Sequence, residues 1–158
     1  MTLPEVTMSI RRTVYVVNGR RLEVRIREKK VVGSGKITYP LVTKFGAAGV
    51  KRQETPKINA DREEFEFYLK EGKPITGDDH WEVPLPSGQK LEIKRFTFPL
   101  TALGLILAEI EFDDEEAARS FKETDLPPWL QPLVIKDVTD DGRYNAKSIA
   151  VDGRPDPE

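Results

Sequence analysis

Cysteine is missing from this chain, and histidine occurs once, at position 80. The first absence excludes disulfides and thiolate metal sites, and the second excludes an imidazole cluster. Any metal is therefore expected on oxygen ligands, the set that suits Mg²⁺, Mn²⁺ or Ca²⁺. A long hydrophobic run is also missing, and the longest apolar stretch is far too short to span a bilayer. MTLPEVTMSIRR has no apolar segment of the signal-peptide kind, so the expected location is the cytoplasm and no membrane partner is expected. Excess charge of one sign is absent too: 25 basic residues stand against 27 acidic ones, for a net charge of −2. That balance demands neither nucleic acid nor an anionic membrane. RRLEVRIREKK is locally basic, but it lacks the interleaved aromatics on which bases stack, so nucleic acid is disfavoured as a partner.

What is present is alternation. With 158 residues, 38% hydrophobic and 33% charged, the chain is expected to form one domain over residues 1–152, with a frayed tail at 153–158. VYVVNGRRLEVRIR reads as a hairpin turning at Asn18-Gly19, a type I′ pair. In its second strand Leu22, Val24 and Ile26 share one face, and Glu23, Arg25 and Arg27 the other. KITYPLVTKF reads as a strand in which Pro40 marks an edge or bulge. REEFEFYL reads as another strand, with Glu64 and Glu66 opposite Phe65 and Phe67. Two more strands flank a Pro-Ser-Gly turn, and Glu92 and Lys94 oppose Leu91 and Ile93. TALGLILAEIEF continues as a strand that sets Glu109 and Glu111 against Ile110 and Phe112. A short helix capped by Asp113 or Asp114 follows, and NAKSIAVD is expected to form a last one.

Mostly consecutive strands predict an antiparallel sheet or barrel. In several of them the face opposite the apolar one carries ionisable residues rather than Ser or Thr. Two structures satisfy that pattern. One is a half-wet sheet whose charged face meets solvent. The other is a closed barrel with a charged lumen and helices outside, whose opposite charges need ligands to balance them.

Four stretches carry a family resemblance: GQKLEIKRF, LAEIEFDDEEAARSF, PPWL and VTDDGRYNAK, in that order over residues 88–147. They resemble the CYTH family, also called triphosphate tunnel metalloenzymes. LEVRIR, LVTKFG and REEFEF are similar to three further strands of that family. The resemblance implies a mainly β, α+β fold: an antiparallel β-barrel or tunnel with a few short helices outside. It also implies binding of a triphosphate-bearing small molecule with divalent Mg²⁺ or Mn²⁺. Arg25, Arg27, Lys44, Arg62, Lys94 and Arg143 are the implied phosphate ligands. Glu64, Glu66, Glu92, Glu109 and Glu111 are the implied metal ligands. No catalytic residue is assigned.

The chain departs from the family pattern at three places. It has no E-x-E-x-K strand near its start, it carries Glu92-Ile93-Lys94 where the family has E-x-D, and it carries His80-Trp81 where an Arg-Tyr pair often stands. An acid exchanged for Lys weakens cation binding and strengthens anion binding. The expected function is thus triphosphate or nucleotide binding, with turnover in doubt. One alternative is an active metal-dependent triphosphatase on inorganic, nucleoside or thiamine triphosphate, or less favourably an adenylyl cyclase. Another is a non-catalytic interaction module whose open barrel edge accepts a partner strand, including that of a second copy in a homodimer.

Overall fold

A computed structural model of the protein describes residues 5–46, 53–55 and 57–156. Its centre is one antiparallel sheet. The strands are β1 (Thr7–Asn18), β2 (Leu22–Val31), β3 (Ile37–Thr38), β4 (Pro40–Phe45), β5 (Gln53–Glu54), β6 (Ile58–Asn59), β7 (Ile75–Pro84), β8 (Lys90–Phe98) and β9 (Ile106–Ile110). They are ordered β5-β4-β2-β1-β7-β8-β9, with β3 beside β2 and β6 beside β4. Among the described residues the two ends of this path do not pair, so the sheet is not closed. The expected antiparallel tunnel forms, open along one side as the missing first strand implies. Its edges are short, two residues in β5 and five in β9, which limits the ladder either could offer.

The two faces have different covers. On the outer face Val14 and Ile26, neighbours across β1 and β2, pack with Phe65 of helix α1 (Arg62–Lys70). All three are fully buried. The other face is polar over most of its area. At one end it is closed by an apolar cluster of Phe96, Ala102, Leu105, Leu107 and Ile149. Ile149 belongs to α3 (Ala146–Asp152), the last helix, which Gly153 ends at positive φ. A side chain at Gly153 would collide with Thr101, so glycine fits there for space as well as for conformation.

REEFEF is the main correction to the sequence reading: it is the helix α1 and not a strand. Asp61 caps it, accepting a hydrogen bond from the Glu64 amide at 2.8 Å. Glu63 and Glu64 lie at its positive end and Lys70 at its negative end. Phe65, Tyr68 and Leu69 recur at helical spacing and face Val14 and Ile26. The Glu-Phe alternation covers only 64–67, too few residues to outweigh a capped nine-residue helix.

Three smaller expectations change as well. The β1–β2 hairpin forms, but Gly19 lacks the positive φ of a type I′ turn, and the loop closes by the Gly19 amide on the Leu22 carbonyl. Within TALGLILAEIEF only Ile106–Ile110 is strand, so Glu111 follows the strand end. GAAGVKRQETPKINAD contributes β5 and β6, while residues 47–52 and 56 lie outside the described ones. KITYPLVTKF divides at Tyr39 into β3 and β4, and β1 starts at Thr7, ahead of the expected VYVV, while the β7–β8 hairpin and the two later helices follow the sequence reading. Asp114 caps α2 (Glu115–Ser120), and Gly88 at positive φ turns the β7–β8 hairpin.

A strand would make Phe65 and Phe67 equivalent, whereas the helix does not. Phe65 is fully buried and Phe67 is 58% exposed. Phe65→Ala is expected to cost about 3–5 kcal/mol in urea unfolding. Phe67→Ala is expected to change stability by no more than about 1 kcal/mol.

Candidate functional site

Strand register places the ionisable residues of the polar face. Residues paired across an antiparallel ladder share a face, and so do residues two apart along a strand. Arg25 pairs with Tyr15 and Val42, Arg27 with Thr13, and Lys29 with Arg11. Arg11 pairs in turn with Asp78, Thr13 with Thr76, Ser9 with His80, and Thr7 with Glu82. Beyond β7, His80 pairs with Lys94, Glu82 with Glu92, and Glu92 with Glu109. Lys44 joins from β4, opposite Glu23 and Glu54. One face of the sheet thus carries charge from edge to edge.

The signs are partly segregated, with Glu23 and Glu54 beside Lys44 on one half and Lys90 and Lys94 among the carboxylates on the other. Arg11, Arg25, Arg27, Lys29 and Lys44 come from β1, β2 and β4, whereas Glu82, Glu92 and Glu109 come from β7, β8 and β9. The boundary between the halves is a buried ion pair. Arg11 Nε donates to Asp78 Oδ1 at 2.7 Å, and Arg11 Nη2 donates to Oδ2 at 2.9 Å. Ser9, Arg11, Thr13, Tyr15, Thr76, Asp78 and His80 are all at most 5% exposed. Apolar cover reaches only the Phe96–Ile149 end, so the sheet itself must curl around these groups. Lys29 of β2 reaches past β1 to within 3.9 Å of Glu82 on β7, as an inward curve requires.

The cationic half is crowded. Arg27 Nε donates to the neutral Thr13 hydroxyl at 2.9 Å. Burial first, then Arg11 and Arg25, lower the Arg27 pKa from its ordinary value. Its guanidinium keeps its charge at neutral pH even so, because arginine starts very high. Lys29 is lowered for the same reason, with Glu82 opposing the shift. Lys44 pairs with Glu54 at 2.9 Å, which holds the Glu54 carboxyl below the usual range against its own desolvation. Asp78, buried Glu23 and Glu54 offset part of the positive charge of this half, and an anion would offset more of it.

The acidic half is also structured. Lys94 Nζ donates to both oxygens of Glu109, at 3.0 and 2.9 Å. Lys90 Nζ stands 3.5 Å from Glu82 and 3.5 Å from Glu92. The Glu92 carboxyl is held far below the usual range by its neighbours, His80 first and then Lys94 and Lys90, against desolvation. Glu111 lies just beyond β9, exposed, in an open recess with Ser87, Gly88, Gln89, Lys90 and Asp113.

Of the sequence candidates, Arg25, Arg27, Lys44, Glu92, Lys94 and Glu109 lie on the polar face, and Glu111 lies at its margin. Arg62, Glu64 and Glu66 do not join them, because α1 packs on the opposite face. There Arg62 Nε donates to Glu66 at 2.9 Å, one turn away and exposed. Arg143 lies in a 3₁₀ turn and grips Asp141 through Nε and Nη2. Arg25, Lys44, Glu66 and Glu111, all implied ligands, do not share one cavity, since Glu66 belongs to the outer helix. Arg11, Asp78, His80 and Glu82 were not among the candidates. The signal for Asp78, His80 and Glu82 was the polar alternation Thr76, Asp78, His80, Glu82, visible in ITGDDHWEV.

No protein-family model matches the chain, and none of the curated proteins matches it either. Solved structures do match. The inorganic triphosphatase NE1496 superposes with a TM-score of 0.58 and 27% identity, covering 95% of this chain and 90% of that one. A second structure, of the hypothetical protein NE1496, gives a TM-score of 0.58, 26% identity and the same coverage. The PH1819 protein from Pyrococcus horikoshii OT3 gives a TM-score of 0.52 and 15% identity over 72% of this chain and 70% of that one, a likeness of fold alone. The sheet thus matches a CYTH-like tunnel fold, open along one side. Among the described residues no helix is long and apolar enough to cross a membrane.

The buried pair at the boundary sets a test. Asp78→Ala strands the Arg11 guanidinium at 5% exposure and is expected to cost about 3–5 kcal/mol in chemical unfolding. Replacing both partners, Arg11→Met with Asp78→Leu, is expected to cost much less, because no uncompensated charge is left buried.

Proposed function

We propose that the polar face binds a triphosphate-type polyanion together with a divalent metal ion. The observation that carries this reading is the segregation of charge. Guanidinium and ammonium groups from β1, β2 and β4 face one half of a curled sheet, and carboxylates from β7, β8 and β9 face the other. A polyanion neutralises the first half, and a divalent cation bridges it to the second. The likeness to an inorganic triphosphatase supports the same ligand class.

In this reading Arg25 and Arg27 hold phosphate oxygens in bidentate fashion, while Lys44 and Lys29 contribute point charges. The donor set of the acidic half fits a divalent ion. Glu92 is held in its charged form, and Glu109 and Glu111 lie beside it on the edge strand and its extension. Bound there, a metal supplies Lewis-acid polarisation of a phosphoryl oxygen. The protein's own groups orient the phosphate chain and exclude water beneath it. Lys94 occupies part of the acidic half and ties up Glu109, which favours binding over turnover. Hydrolysis of the bound triphosphate is the second reading, favoured by the activity of the NE1496 neighbour.

Calorimetric titration with tripolyphosphate, with and without Mg²⁺ or Mn²⁺, tests the proposal. Saturable binding that weakens as salt rises is expected. Arg25→Ala is expected to weaken it about 10–100-fold, since a charge-assisted contact is lost. Arg62→Ala, on the outer helix, is expected to leave it unchanged. No heat with either metal, or equal loss in both variants, contradicts the reading. Phosphate release from tripolyphosphate that disappears in Glu111→Ala would establish turnover as well.

A further inference from the structure

His80 is 1% exposed, and neither of its ring nitrogens has a hydrogen-bond partner. Buried imidazoles almost always have one, because an unmatched polar atom in the interior is costly. The surroundings of this one are not apolar. Glu82 lies two residues along the same strand, and Glu92 lies opposite Glu82 on β8. One ligand atom from each of His80, Glu82 and Glu92 can be chosen so that all lie within 4.8 Å of one another. His80 Nε2 and Glu92 Oε2 are 3.8 Å apart. Donors around a metal at about 2.0–2.2 Å stand roughly 3–4.4 Å apart, so only a small contraction is required. The spacing is too long for a direct hydrogen bond and suits a shared ion.

A cation already stands at this place. The Lys90 ammonium lies 3.5 Å from Glu82 and 3.5 Å from Glu92, on a side chain that is 44% exposed and able to swing out. Lys29 approaches Glu82 from the far side at 3.9 Å. The two carboxylates bring two negative charges, which a divalent ion would offset in place of the lysines. Glu109, by contrast, is engaged through both oxygens by Lys94.

We infer that His80, Glu82 and Glu92 form a mixed nitrogen–oxygen site for a transition-series divalent ion, Zn²⁺, Co²⁺ or Mn²⁺ in preference to Mg²⁺. This ligand set differs from the all-oxygen set expected from the sequence. It deepens the proposed function by naming a metal subsite on the acidic half, but it does not require the polyanion to bind. An imidazole ligand raises affinity along the series from Mn²⁺ toward Zn²⁺ and adds little for hard, strongly hydrated Mg²⁺. Three protein ligands would leave a position on the ion for water or a phosphate oxygen.

The test is titration of the chelator-treated chain with Co²⁺ alone, read by its visible ligand-field spectrum, and with Zn²⁺ in competition. One ion per chain is expected, with Mg²⁺ failing to displace it at equal concentration. His80→Gln and Glu82→Gln are each expected to weaken Co²⁺ binding by at least about tenfold. Thermal melts in the absence of metal identify a variant that has simply unfolded, and Glu82→Gln, at the half-buried position, serves if His80→Gln does. For Mn²⁺, nitrogen couplings in pulsed EPR that vanish in His80→Gln give a second readout. Tripolyphosphate titration without metal is run beside these. Polyanion binding with no Co²⁺ site, or a Co²⁺ site that persists in folded His80→Gln, overturns this inference and leaves the polyanion reading standing. A Co²⁺ site without polyanion binding does the reverse.

Discussion

The structure depends on burying charge inside a curled sheet, and the Arg11–Asp78 pair is where that constraint is met most tightly. Both side chains are 5% exposed, and two short, parallel hydrogen bonds join them across β1 and β7. An isolated charge at that depth would be prohibitive. The pair satisfies itself, so the cations on one side of it and the carboxylates on the other remain to be matched by each other or by ligands. On the acidic side Lys94 and Lys90 provide part of the match. On the cationic side Arg27 has a hydroxyl, and its lowered pKa reflects burial beside Arg11 and Arg25. The face is most nearly neutralised when an anion lies over one half and a divalent ion over the other.

Packing on the opposite side makes this possible. The sheet can devote one face to charge because α1 covers the other, burying Val14, Ile26 and Phe65 together. At the end near β9 the arrangement reverses, and α3 brings Ile149 onto the polar side against Phe96 and Leu107. A bulge at the Gly77/Asp78 register shift sets Phe96 opposite Asp78, so the apolar cluster begins where the charged row ends. The candidate site therefore has a dry wall at one end and an open flank between the edge strands.

Much of this was legible in the sequence, because period-two alternation is a strong signal where a strand has one dry face. LEVRIR, KLEIK and the turn around Gly88 read directly, as did the last helix, while the cap expected at Asp113 or Asp114 falls on Asp114. REEFEF misled because its alternation is local, while the features that make it a helix lie outside the motif: Asp61 before it, and Tyr68, Leu69 and Lys70 after it. Three candidate ligands, Arg62, Glu64 and Glu66, went with that helix to the outer face. His80 was passed over for a different reason. A single histidine has no spacing pattern, and one of its partners, Glu92, becomes a neighbour only through the β7–β8 register. Arg11 and Asp78, separated by 67 positions, are likewise joined only by strand order.

The central claim is that the two halves of one face take ligands of opposite sign. It is tested most directly by amide NMR spectra of the chain with tripolyphosphate and then with substoichiometric Mn²⁺. The account predicts polyanion-induced shifts centred on residues 11–13, 25–29 and 42–44, and paramagnetic broadening centred on residues 80–82 and 90–92, with α1 unaffected by either. Shifts and broadening scattered over the outer surface, or centred on α1, would contradict it.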